Sequence, residues 1–278
     1  MLNFMRLAIL LVCGLPLLAQ DAVNRAWQIL DRGLHDGNPA KRVQTVVAMG
    51  ILRPQGKAVE TVESAFLDKD YSVRQAACVS LDQMKSHQSI HKLRDALNDP
   101  APEVIFAAAK ALYDMGDPTG REVMVAVILG DQADASGFFS SSMHNIKTKM
   151  HDPKGLVMIG LKEGAGAFLG PASLGIPVAE GLLKDANASG KTVAEAMLAN
   201  DRHLEVVEAM HQGLQDKNWT VRAAAARALA LGSHKEMFDD IALLLDDKKE
   251  EAQYSAAAAV IRLRQPVETR AVPQKAAK

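Results

Sequence analysis

Asp216–Gly232 reads "DKNWTVRAAAARALALG", and Asp68–Leu81 reads "DKDYSVRQAACVSL". Each opens on an Asp, passes through a short polar turn, sets an Arg six residues beyond the Asp, and runs on into small apolar residues. Two copies of one pattern in a single chain are a repeat, and a repeat fixes the architecture before any isolated motif can.

Working outward, the same Asp recurs at Asp36, Asp68, Asp99, Asp131, Asp216 and Asp247, with separations of 32, 31, 32, 85 and 31 residues. Two residues before these anchors stand Leu34, Phe66, Leu97, Leu129, Leu214 and Leu245; six before stand Leu30, Val62, Leu93, Val125, Met210 and Ile241. A spacing of four puts both positions on one helical face. Ten residues past the anchors lie Val46, Cys78, Ala109, Ala226 and Ala257, and twelve past lie Ala48, Ser80, Ala111, Ala228 and Ala259. Small side chains there allow close helix approach. Each unit is therefore a helix, a tight turn and a second helix, with an apolar flank it cannot bury alone. The expected fold is all-α, an α-solenoid of stacked helix-turn-helix repeats.

The Trp, Leu-Gly and Tyr signature of tetratricopeptide repeats and the ankyrin "TPLHxA" are both missing. On "DKDYSVRQAACVSL" and "DKNWTVRAAAARALALG" the chain resembles the HEAT repeat family, in its short bacterial form. That resemblance covers about residues 24–131 and 200–264 and implies a ladder in which turn Asp and helix Arg residues link neighbouring units. The matching positions are Asp36 and Arg42, Asp68 and Arg74, and Asp216 and Arg222. Ile105 and Gln253 stand where the Arg is expected after Asp99 and Asp247, so the ladder should break there. The family is specific for fold and nearly silent on activity. HEAT-type iron hydroxylases use His-Glu pairs, and no His of this chain is followed by Glu.

The interval of 85 residues marks an interruption. Between Gly155 and Asp185 lie seven glycines and two prolines, with charges only at Lys162, Glu163, Glu180 and Lys184 before the final Asp. Such a segment disfavours one long helix and is too apolar for an ordinary linker. Three readings stay open: a packed loop-and-helix element, an exposed patch for a partner, or a membrane-surface contact. Phe138, Phe139, Phe168 and Leu169 are candidate partner-binding residues, being large apolar side chains outside the repeat register. The expected organisation is a signal peptide over 1–20, repeats over 22–136, the glycine-rich insert over 137–191, repeats over 192–264 and a disordered tail over 265–278.

The signal reading rests on "MLNFMRLAILLVCGLPLLAQDA", with Arg6 ahead of a short apolar run and Pro16 behind it. It implies export to a periplasmic or extracellular compartment. Removal of Cys13 with it leaves Cys78 alone, so no disulfide framework or cysteine-rich metal site is expected. Cys78 shares the small core positions and reads as an inert thiol. Formal net charge is −1 with scattered Lys and Arg, which gives no basic stripe for nucleic acid.

"DANASGKT" at Asp185–Thr192 ends like a phosphate loop, but Asp185 stands where the first glycine is required and no strand precedes it. Thr192 and Glu195 are read instead as a capping box that starts a helix. His87, His91 and Asp95 are spaced to share a helical face, yet read as a polar outer surface rather than a metal site. Trp27 and Trp219 read as packing residues. No cofactor and no catalytic residue is expected. The sequence points to an exported, non-catalytic scaffold that binds another protein. The alternatives are a peripheral membrane protein acting through the insert, and a HEAT-like lyase or cofactor-handling protein.

Overall fold

A computed structural model of the chain describes residues 19–129 and 186–266. Among these residues the secondary structure is entirely helical. Helix α1 spans 19–34, followed by α2 (Pro39–Met49), α3 (Gly56–Ser64), α4 (Tyr71–Met84), α5 (Ile90–Ala96), α6 (Pro102–Asp114) and α7 (Pro118–Leu129). The second described stretch holds α8 (Ala186–Leu198), α9 (Leu204–Gly213), α10 (Trp219–Leu231), α11 (Phe238–Leu243) and α12 (Glu250–Arg264). The signal segment, Asp131 and most of the glycine-rich insert lie outside the described residues.

The start of each second helix is written in the turn. Asn38, Asp70 and Asn218 accept the backbone N–H two residues on, at Ala40, Ser72 and Thr220, which caps α2, α4 and α10. One step earlier the anchor carboxylates do the same: Asp36, Asp68, Asp99, Asp216 and Asp247 each accept the N–H of the residue two further on. Every anchor thus folds its own turn before it meets any other unit.

The small positions ten and twelve past the anchors are all buried, from Val46 and Ala48 to Ala257 and Ala259. They line a row in which second helices pack on one another: α2 on α4, α4 on α6, and α10 on α12. Ser80 donates to the Val46 carbonyl across that row at 2.8 Å, and Cys78 Sγ donates to the Val104 carbonyl at 3.9 Å. Leu30, Val62, Leu93, Met210 and Ile241 fill the first-helix side of the same core. Val125, expected with them, is instead 41% exposed, and Val123 takes the buried place. The reason is a tight approach of α7 to α6, where a Cβ on Gly120 would come within 2.6 Å of the Ala109 carbonyl. That approach sets the rotation of α7 differently from the other first helices.

The ladder ties the turns together. Arg42 clamps both oxygens of Asp68, at 2.7 and 2.8 Å, while its remaining nitrogen donates to the Asp36 carbonyl of its own unit at 2.9 Å. Arg74 repeats this on Asp99 and the Asp68 carbonyl, and Arg222 on Asp247 and the Asp216 carbonyl. Each Arg therefore links the anchor of its own unit, through the backbone, to the carboxylate of the next. The hydrogen bonds from Arg42 hold the Asp68 carboxyl below the usual carboxylate range. Gln253 retains the bond to its own anchor carbonyl, at Asp247, but makes no clamp on a next anchor. After Asp99, where Ile105 is buried in the core, Arg94 reaches Asp117 at 2.6 Å from a different position.

The order of units in space differs from their order in the chain. Helix α12 packs against α2, so the row runs α8, α10, α12, α2, α4, α6, with the first helix α7 packed on α6 at its end. The carboxy-terminal repeats dock on the front of the amino-terminal ones. At this seam Lys41 bridges Asp36 and Glu250, Arg25 pairs with Asp246, and buried Tyr254 lies against Gly33 of α1. A Cβ on Gly33 would fall 2.7 Å from the Tyr254 ring and would also strike the Thr45 hydroxyl. Gln265, expected in the disordered tail, joins the seam by accepting from the Arg53 N–H at 2.8 Å and donating to the Arg53 carbonyl at 3.3 Å.

The expected capping box at Thr192 and Glu195 does not form. Helix α8 begins at Ala186, so Thr192 sits half-way along it and is fully buried. Packing of α8 along α10 decides this, outweighing a mid-helix glycine that costs only about 1 kcal/mol. Lys191 in the same helix reaches Asp216 at 2.6 Å and supplies a rung the sequence pattern does not show. The Glu195 carboxyl faces Gly213 of α9 and one of its oxygens is buried without a partner. Burial, then the nearby charge of Asp216, raise its pKa to about 8 despite Lys191.

Three outcomes are expected. Arg74→Ala strands the Asp99 carboxylate and should cost about 3 kcal/mol, read as a fall in Tm of roughly 6–12 °C; a loss no larger than that of the exposed Lys69→Ala would refute the clamp. Gly33→Ala should destabilise the seam by about 1–3 kcal/mol through overpacking against Tyr254, whereas Gly37→Ala, with open space around it, should not. Glu195 holds its proton more tightly folded than unfolded, so its contribution is complete below the usual value of 4.5 and declines as pH climbs towards 8. Melting curves from pH 5 to pH 8 (roughly the window between the two pKa values) should show wild type losing stability relative to Glu195→Gln, and parallel curves would contradict the buried-acid assignment.

Candidate functional site

The second helices α10, α12, α2 and α4 form the inner wall of a curve. Arg227 on α10 donates to the side-chain oxygen of Gln83 on α4 at 3.2 Å, although α12 and α2 stand between those helices in the row. Such a bond is a chord, and it requires the row to bend sharply towards it. Gly50 at the end of α2 leaves the room, since a Cβ there would strike the Gln83 amide.

Two more arginines stand beside this chord. Arg262 on α12 donates to the Ala230 carbonyl at 3.0 Å and to the Ile51 carbonyl, stapling the carboxy-terminal ends of α10 and α2, where helix carbonyls are short of donors. Arg53, just after α2, is held through its backbone by Gln265. Among the described residues no carboxylate pairs with Arg53, Arg227 or Arg262. Burial, and then repulsion from Arg262, push Arg227 down to about 9; burial, and then Arg53, push Arg262 down to about 10. Arg227 and Arg262 therefore remain cationic at neutral pH. Nε of Arg227, Nε of Arg53 and the amide nitrogen of Gln83 are buried donors without acceptors.

Elsewhere on the open side of the second helices lie Val47, Val79 and Lys110, each eleven residues past its anchor and half-buried. A separate cavity of about 550 Å³ opens between α1, α3 and the end of α12, lined among others by Trp27, Lys57, Arg264 and Gln265. There the Lys57 ammonium sits 4.4 Å from the centre of the Trp27 ring. The cavity has cationic and apolar walls but no clustered acid, base and nucleophile.

Phe138, Phe139, Phe168 and Leu169, the candidate partner residues, lie outside the described residues. Asp36, Arg42, Asp68, Arg74, Asp216 and Arg222 are brought together along the turns as the ladder, away from the arginine cluster. Cys78 is wholly buried, and burial pushes its thiol pKa far up, so it offers no ready thiolate. His87, His91 and Asp95 are exposed, with the His91 ring bonded to the Gln88 carbonyl, and no group of three metal-ligating side chains converges among the described residues. Trp219 opens α10 and is half-buried. Among the described residues no helix is long and apolar enough to cross a membrane.

Sequence reasoning passed over the arginine cluster. One signal was present: Arg227 interrupts the run of alanines in α10 at a place where Ala258, Val47 and Val79 stand in other units. Its meeting with Gln83 and proximity to Arg262 and Arg53 follow only from the curvature and the docking of the two halves.

Among known proteins, the model of HEAT repeats matches residues 28–112 and 68–135, and the HEAT repeat model matches residues 206–231. No curated protein matches the chain significantly. A solved structure of human deoxyhypusine hydroxylase in complex with glycerol is similar over 89% of this chain and 99% of that one, at 18% identity and a TM-score of 0.33. Matched repeats in both halves, the helical row and the turn geometry lead to one assignment: residues 28–135 and 206–231 of this chain are HEAT repeats.

Proposed function

We propose that this HEAT repeat protein is an exported, non-catalytic scaffold whose inner helical wall holds another protein. The observation that supports it most is the single continuous row of second helices, joined across the seam by α12 and α2. It presents half-buried apolar and charged side chains from several units along one curved surface. Recognition by such a wall needs no moving parts, because the ladder fixes the spacing of the units before a partner arrives. Cys78 is a lone buried thiol and Glu195 a buried acid beside Asp216 and Lys191, and among the described residues no carboxylate pairs with the arginine cluster. Export is inferred from the amino-terminal sequence, and the glycine-rich insert with Phe138, Phe139, Phe168 and Leu169 is taken as a second contact element.

Affinity capture from the cell envelope with the full chain tests this reading against a variant carrying Val47→Glu and Val79→Glu, and a second with the four insert residues made polar. A specific partner should be held by wild type and lost from the wall variant, with weaker capture by the insert variant. Undiminished capture by a folded wall variant would overturn the inner wall as the docking surface. Mass spectrometry of the secreted or periplasmic fraction should find a mature amino terminus near Ala19 or Gln20, and an intact Met1 form confined to the cytoplasm would refute export.

A further inference from the structure

We propose that Arg53, Arg227 and Gln83 form a binding site for a tetrahedral oxyanion of the phosphate or sulfate class, at the inside of the bend where the carboxy-terminal repeats dock on the amino-terminal ones. The inference concerns a small ligand and does not depend on the protein partner.

The unmet bonding capacity here is all of one kind. Nε of Arg53, Nε of Arg227 and the amide nitrogen of Gln83 are donors, each buried and each without an acceptor. A buried donor left unpaired costs about 1–3 kcal/mol, more when charged. Arg227 meets Gln83 directly, Gln83 stands against Gly50 and Arg262 reaches the Ile51 carbonyl, so the loop that carries Arg53 runs beside this pair; donors on that loop, on α10 and on α4 point to a group that brings acceptors. The charge argument runs the same way. The charge of Arg262 disfavours that of Arg227 and the charge of Arg53 disfavours that of Arg262, and buried charges are ordinarily paired. The acids closest in sequence are already engaged: Asp82, beside Gln83, is bonded by Lys85 at 2.7 Å and approached by Lys110 at 3.5 Å.

The three arginines are not equivalent. Arg262 is occupied by the Ala230 and Ile51 carbonyls and acts as the staple that sets α10, α12 and α2 around the site. Among the described residues the Arg227 side chain is held only by its bond to the Gln83 side-chain oxygen, which orients the guanidinium. Arg53 is fixed through its backbone alone, leaving its side chain for a ligand. Donors arriving from three separate elements suit the several oxygens of a tetrahedral anion better than the flat pair of a carboxylate, and guanidinium groups are the preferred partners of such oxygens. Arg53 and Arg227 are half-buried as residues, while their Nε atoms are themselves covered.

The test uses the full chain in oxyanion-free buffer, with ionic strength held constant by sodium chloride. Inorganic phosphate and sulfate should raise Tm in proportion to the logarithm of their concentration once the site fills, as binding to the folded state alone requires. Arg227→Gln and Arg53→Gln should each weaken the response by roughly tenfold or more, since each removes a charge-assisted bond. The phosphorus resonance of inorganic phosphate should broaden with wild type and stay sharp with either variant. Parallel titrations with glycerol phosphate and phosphoserine separate free from esterified sources: a response to inorganic phosphate alone assigns the free ion, and a tighter response to an ester assigns that ester. Equal stabilisation by chloride or acetate would overturn the site, as would a phosphate response retained in both variants. Should Arg227→Gln fail to fold, Arg53→Gln, which lies outside the helices, decides the matter.

Discussion

Everything in this molecule depends on one constraint: a helix pair has more apolar flank than it can cover by itself. The small side chains ten and twelve residues past each anchor are the answer to it. Ala, Ser, Cys and Val at these places let the second helices approach until their flanks are dry. Close approach makes the burial collective, because each unit's interior is completed only by its neighbour. The Arg clamps then act on units already brought together. Their role is to hold register, since a bidentate guanidinium fits a carboxylate in one geometry.

The same constraint explains why the two halves meet. A stack of repeats has two ends, and each end exposes an apolar flank. Docking α12 on α2 removes one end from each half at once. The seam lacks the usual Arg clamp, with Gln253 in its place, and other contacts do the holding: Lys41 between Asp36 and Glu250, Tyr254 against Gly33, and Arg262 on the Ile51 carbonyl. Bringing arginines of both halves to the inside of a sharp bend is a consequence of that docking.

Much of the candidate functional surface was hidden for a physical reason. The ladder was legible because its members sit at fixed offsets within a repeat, and local offsets survive in a linear text. Arg227 and Gln83 are 144 residues apart and belong to different positions of their repeats, so no period connects them. The misplaced start of α8 has a related origin. Thr192 and Glu195 satisfy the local pattern of a capping box, but burial of Thr192 against neighbouring helices continues the helix backwards to Ala186. Tertiary packing overrode a local preference worth only about 1 kcal/mol.

By itself the sequence determined that the described residues are helical, that the units are helix-turn-helix pairs, where the anchor turns fall, and most of the side chains that form the core. These follow from short-range periodicity, from Asp and Asn side chains folding turns onto their own backbone, and from small residues at two fixed places per unit. Only the tertiary structure decided which unit neighbours which, how sharply the row bends, and that three unpaired donors gather inside the bend. Those properties depend on how the faces of distant helices fit, and the fit of surfaces has no period to be read along a chain.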